Sequence, residues 1–148
     1  MTAAQDYAKT EVWLTVTGEQ TLAEGSKDSS RTSVRALYEN RDGVRVFRFR
    51  EEDSQSGAVT ESVMEFSEGI CSITRSGGIN VVMKFAPGQE QNCMYGTPFG
   101  AIPMAVLTRH FAVKEIGGNF HARIRYRLVP EGGDPMECAV TVKAEPVE

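Results

Sequence analysis

The chain has 148 residues, with 16 Lys and Arg against 20 Asp and Glu and a formal net charge of −4. That length suits one domain with a sizeable core, and a net negative chain lacks the surplus of Lys and Arg that phosphate binding uses, so nucleic acid is not an expected partner. No apolar run approaches the ~20 residues that span a bilayer, and the first nine residues lack the basic and apolar regions of a signal peptide. No membrane role is expected, and the protein reads as cytoplasmic.

In chain order, residues 1–8 read as a flexible arm and 9–148 as a single β-barrel domain. From Glu11 the sequence alternates, with Val12, Leu14 and Val16 on one side and Trp13, Thr15 and Thr17 on the other, the pattern of a half-buried strand. Gly18 to Arg31 is polar and punctuated by Gly and Ser, so it reads as a long mobile loop, with a short helix around Gln20–Glu24 weakly signalled. Val34, Ala36 and Tyr38 share a face on the next strand. Asp42-Gly43 then marks a tight hairpin turn, and Phe47 and Phe49 oppose Arg48 and Arg50 on the returning strand, Val44 to Glu52. A further turn at 53–57 leads into Ala58–Phe66.

Short turns at Ser67-Glu68-Gly69 and Ser76-Gly77-Gly78 bound the strands Ile70–Arg75 and Ile79–Phe85. Pro87-Gly88 leads to Gln91–Tyr95, and Pro98-Phe99-Gly100 makes the next turn. Ile102 to Glu115 is long enough to bend or carry a bulge in its middle. After Gly117-Gly118 comes the cleanest strand, where Phe120, Ala122, Ile124, Tyr126 and Leu128 point inward and His121, Arg123, Arg125 and Arg127 point outward. Met136 to Ala144 closes the set. About nine strand-like segments joined by short hairpins imply an antiparallel up-and-down meander, and rolling it into a barrel removes its open edges.

The run Glu65-Phe66-Ser67-Glu68-Gly69-Ile70, then Thr74-Arg75-Ser76-Gly77, is followed by Tyr95-Gly96-Thr97-Pro98-Phe99-Gly100 and by Val106-Leu107-Thr108. Together these resemble the DUF1934 family of YwiB-like β-barrel proteins. The resemblance implies an all-β, antiparallel, lipocalin- or calycin-like closed barrel of bacterial, cytoplasmic origin. It carries no catalytic residues to transfer.

The residues themselves show no enzyme signature. His110 and His121 lie on separate strands with no second ligand at i+2 or i+4, so no metal is expected. There is no nucleophile elbow, and the Gly pairs lie between strands, away from any helix N-terminus that would cradle phosphate. Glu51-Glu52-Asp53 reads as a solvated hairpin end. Cys71, Cys93 and Cys138 fit neither a disulfide framework nor a CxxC pair, and read as small buried hydrophobes in a reducing compartment. No cofactor is expected. The outward stripe His121, Arg123, Arg125 and Arg127 has residues ~7 Å apart, a spacing that suits a phosphate backbone or an acidic partner, but the simpler reading is acidic side chains opposite it on neighbouring strands, as cross-strand ion pairs.

What remains is the interior. A barrel of about eight strands is either filled by its own side chains or holds one small ligand. Tyr38, Phe47, Phe49, Met83 and Tyr126 line or plug it, and Arg75, Tyr95, Thr108 and His110 are the candidate polar anchors. His110 shares the inward parity of Ile102, Met104 and Val106 only if no bulge intervenes. For Arg75, bonding to backbone carbonyls around Ser76–Gly78 is the plainer role. The leading expectation is a small, mostly apolar ligand in the barrel. The alternative is an interaction protein with a filled barrel that acts through its outer surface.

Overall fold

The computed structural model describes residues 8–147; the expected N-terminal arm, apart from Ala8, lies outside the described residues. Ten strands follow one another: β1 (Lys9–Thr21), β2 (Lys27–Arg41), β3 (Val44–Glu52), β4 (Val59–Ser67), β5 (Ile70–Gly77), β6 (Val81–Phe85), β7 (Glu90–Thr97), β8 (Gly100–Ile116), β9 (Asn119–Pro130) and β10 (Met136–Pro146). They form one antiparallel sheet in the order β6-β5-β4-β3-β2-β1-β10-β9-β8-β7. This is the expected meander, with ten strands in place of about nine. Among the described residues no helix is long and apolar enough to cross a membrane.

The first and last strands meet in the middle of the sheet, where β1 pairs with β10 from Val12↔Pro146 to Thr21↔Glu137. The free edges are therefore β6 and β7, which are consecutive in sequence, and the sheet curls until they almost meet. A β-bridge between Asn80 and Gly96 joins them. Just beyond, the Gly88 amide donates to the Thr108 carbonyl at 3.0 Å and the Thr108 amide to the Gln89 carbonyl at 3.2 Å. The result is a nearly closed barrel with a thin seam, which leaves little backbone edge free to pair with another chain. A second weak joint lies between β2 and β3, whose ladder runs only from Leu37↔Arg48 to Arg41↔Val44.

The stretch 18–31 corrects the sequence reading. It is neither a long loop nor a helix: β1 and β2 pair continuously from Lys9↔Glu39 to Thr21↔Lys27, leaving only residues 22–26 as the turn. Cross-strand pairing overrides the local polar composition here, because a strand hydrogen-bonded to a partner needs no apolar face to persist. The β2–β3 turn is as expected. Asp42 and Gly43 both have positive φ, 51° and 92°, and the Gly43 amide donates to Asn40 Oδ1 at 2.8 Å, the geometry that Asp-Gly favours in two-residue hairpins.

Inside the barrel, alternate residues of every strand build one core. Leu14, Phe47, Phe66, Phe85, Ile124 and Val142 are completely buried. Phe47 sits 5.0 Å from Phe120 and 6.0 Å from Phe66, ring centre to ring centre, and Phe66 reaches Phe120 at 4.9 Å and Phe111 at 6.4 Å. A separate pair, Phe85 and Tyr126, lies 4.8 Å apart. Each such ring pair adds about 0.5–1.5 kcal/mol beyond simple burial. Rings from opposite walls meeting at these distances place side chains at the barrel centre, where the leading expectation had placed a ligand.

Candidate functional site

Of the four candidate anchors and the lining residue Tyr126, all but His110 belong to the inner side of the barrel or its mouth, and they do not converge. Thr108 and Tyr126 face each other across β8 and β9. Tyr126 bonds to the Cys138 thiol, and burial, with that thiol beside it, pushes its hydroxyl well above the usual tyrosine range. Thr108 is 1% exposed and its hydroxyl has no hydrogen-bond partner among the described residues. Arg75 points inward opposite Ser62 and Val81, with its guanidinium 3.8 Å from Glu51; this ion pair, and not a bond to the Ser76–Gly78 carbonyls, is its observed charged contact. Tyr95 is half-buried on β7, opposite Ile102.

His110 does not face the interior. The register slips between Thr108, opposite Tyr126, and His110, opposite Arg125. Arg109 is the inserted residue of a β-bulge, which reverses which side each later residue faces. His110 is thereby exposed on the outer wall, while Phe111 and Val113 turn in to pack on the core. Among the described residues no group of three or more His, Cys, Asp or Glu is placed to hold a metal. The three cysteines are free, and burial pushes all three thiols upward, away from reactive thiolate.

The hollows open through the wall or on it. One of about 620 Å³ lies along the β6–β7 seam, with Arg75, Lys84, Gln91 and Asn92 among its lining. One of about 450 Å³ lies where β2 parts from β3, with the buried Ser62 at its floor and Arg35, Arg48 and Arg50 around it. The one of about 680 Å³ lies on the outer face of the sheet, over β1, β10 and β9, and includes Trp13, Arg31, His121, Arg123, Thr141 and Lys143.

That outer face is where the charge is organised. Register places Ser33, Thr15, Lys143, His121 and Lys114 in one row across β2-β1-β10-β9-β8, and Arg31, Thr17, Thr141, Arg123 and Ala112 in the next. Neighbours within a row are ~4.8 Å apart and the rows ~6.6 Å apart. Neither row contains a carboxylate. Beyond them, Arg125 lies between Ala139 and His110. The expected pairing of the arginine stripe with acids holds only at Arg127, which reaches Glu137 at 4.0 Å. Arg31, Lys114, Arg123, Arg125 and Lys143 make no ion pair with any described carboxylate. The residues opposite Arg123 and Arg125 are Ala, Thr and His, which is why the simpler reading fails there. Both histidines of the chain lie on this face.

Comparison with known proteins matches this architecture. The crystal structure of the ywiB protein from Bacillus subtilis superposes with a TM-score of 0.82 at 18% identity, over 95% of this chain and 94% of that one. No curated protein matches the chain. The family described as "Domain of unknown function (DUF1934)" matches residues 14–142, nearly the whole barrel from β1 to β10, and the chain therefore belongs to that family.

Proposed function

We propose that this chain is a binding protein and not an enzyme, with a filled barrel that engages an anionic partner across the outer face of β2-β1-β10-β9-β8. One observation carries the reading. A chain of net charge −4 sets aside two adjacent rows of this sheet for cations and hydroxyls, with Glu145 and Glu19 standing only in the rows on either side and neither paired to these cations. Segregation of this kind makes a local positive field that the net charge conceals. The calycin-like reading, in which the lumen holds the ligand, is disfavoured by the ring contacts at the barrel centre. A reducing, cytoplasmic setting is supported by three free thiols.

Retention on immobilised heparin, a polyanion without bases, tests this. The protein is expected to bind at low salt, and Arg123→Glu with Arg125→Glu to elute at clearly lower salt. Failure of the wild type to bind, or unchanged elution of the double variant, would sink the proposal. A second reading keeps a small ligand and moves it to the seam, where Arg75 stands behind an open hollow. Native mass spectrometry of gently purified protein decides it: a reproducible added mass that vanishes on denaturation supports a ligand, and a bare mass favours the outer face.

A further inference from the structure

We infer that the anionic partner of this face is single-stranded nucleic acid, seated in the hollow over β1, β10 and β9 with a base stacked at Trp13. This rests on the reading of the face as an anion-binding surface and adds what the charge alone does not: a platform for bases. Trp13 is 40% exposed and shares the 680 Å³ hollow with Lys143, Arg123 and Arg31, three cations against the one carboxylate of Glu145 opposite the indole. The guanidinium of Arg35, 3.6 Å from Glu11, lies 5.0 Å over the Trp13 ring, so indole and guanidinium form one stacked pair at the rim of the cationic rows. An acidic protein would use the cations and could bury the indole only as an apolar anchor, whereas a nucleobase matches its flat face by stacking. A duplex keeps its bases stacked inside and cannot present one. A single strand offers both parts at once, phosphates for the cations and unstacked bases for the ring. The hydroxyls of Thr17 and Thr141 lie between Arg31 and Arg123 in register, placed to donate to phosphate oxygens.

Trp13 is the chain's only tryptophan, so its fluorescence reports the stacking directly. In the test, unlabelled (dT)12 is titrated against this fluorescence, and dye-labelled (dT)12, a duplex of the same length and heparin are compared as ligands of the wild type, Trp13→Ala and Trp13→Phe. Expected are quenching by (dT)12, weaker binding of the duplex, and about a tenfold or greater loss of (dT)12 affinity in Trp13→Ala, from ~1–3 kcal/mol per stacked base. Trp13→Phe should keep most of the affinity, and heparin binding should not change in either variant. The (dT)12 affinity should fall with salt with a log–log slope of about −2 to −3, since each phosphate neutralised on a single strand contributes ~0.7. Equal binding of heparin and (dT)12, with no quenching and no effect of Trp13→Ala, overturns the inference and leaves the anion-binding face standing. Binding of neither removes both.

Discussion

Asn80 and Gly96 exchange both backbone hydrogen bonds, at 2.9 and 2.7 Å, and this bridge ties β6 to β7 across the seam. The same asparagine uses its side chain to hold the turn that precedes it. Its Nδ2 donates to the Gly77 carbonyl at 3.0 Å, and its Oδ1 accepts from the Gly77 amide at 3.2 Å. Seam and turn are thus held by one residue.

Asn80→Ala keeps the backbone bridge and loses the side-chain clasp, so a destabilisation of about 1–2 kcal/mol is expected from two hydrogen bonds. Gly77→Ala should cost more. Gly77 has a φ of +119°, and a Cβ there would lie 2.2 Å from the Val59 carbonyl oxygen, so backbone must move. Urea unfolding of the two variants gives the order, and amide exchange at Gly96 should quicken in both. Equal stability of Gly77→Ala and wild type would contradict the geometry.

The filled interior makes its own prediction. Phe47 is completely buried among Tyr38, Phe66 and Phe120, so Phe47→Ala should lose about 3–5 kcal/mol by transfer and cavity terms together. A small apolar probe such as benzene should raise the thermal midpoint of the folded variant and leave that of the wild type unchanged. A wild type that takes up the probe equally well has room at its centre.

Thr108 is buried with its hydroxyl unpartnered among the described residues, while its backbone is fully used at the seam. Thr108→Val keeps the shape and removes an unsatisfied polar group, so stability should be unchanged or rise by about 1 kcal/mol. A clear loss would mean that the hydroxyl has a partner in solution.

Alkaline pH should unfold this protein through its thiols. Burial raises the folded-state pKa of Cys71 above the ~8.5 of an unfolded cysteine. The folded state then holds a proton that the unfolded state gives up. Stability is fully present below pH ~8.5 and falls above it, by about 1.4 kcal/mol per pH unit for each such group. Cys138 is shifted the same way. Stability against pH from 7 to 10.5 measures the fall, and Cys71→Ala should make it shallower even though the variant starts less stable. A flat profile in the wild type would show that the thiol ionises freely in the fold.

Apart from residues 18–31, which only cross-strand pairing makes strand, and the side faced by His110 beyond the bulge, the sequence alone determined the strands, the tight turns and the inward faces, because these depend on neighbours in the chain: alternation repeats every two residues, and Asp42-Gly43 accepts positive φ wherever it sits. Even the bulge left a local trace, since the apolar parity passes from Val106 and Thr108 to Phe111 and Val113, and His110 lies on the wrong side of that change. The family resemblance was also carried locally, by the motifs between Glu65 and Thr108. Only the tertiary structure decided three things. The seam falls at β6–β7, because closure is fixed by β1 finding β10 across the whole length of the chain. The barrel centre is filled, because rings such as Phe47 and Phe120 meet from opposite walls. The cations of β2, β9 and β10 form rows without acids, because the register between strands far apart in sequence sets which side chains lie opposite each other, and no pattern within a single strand encodes that.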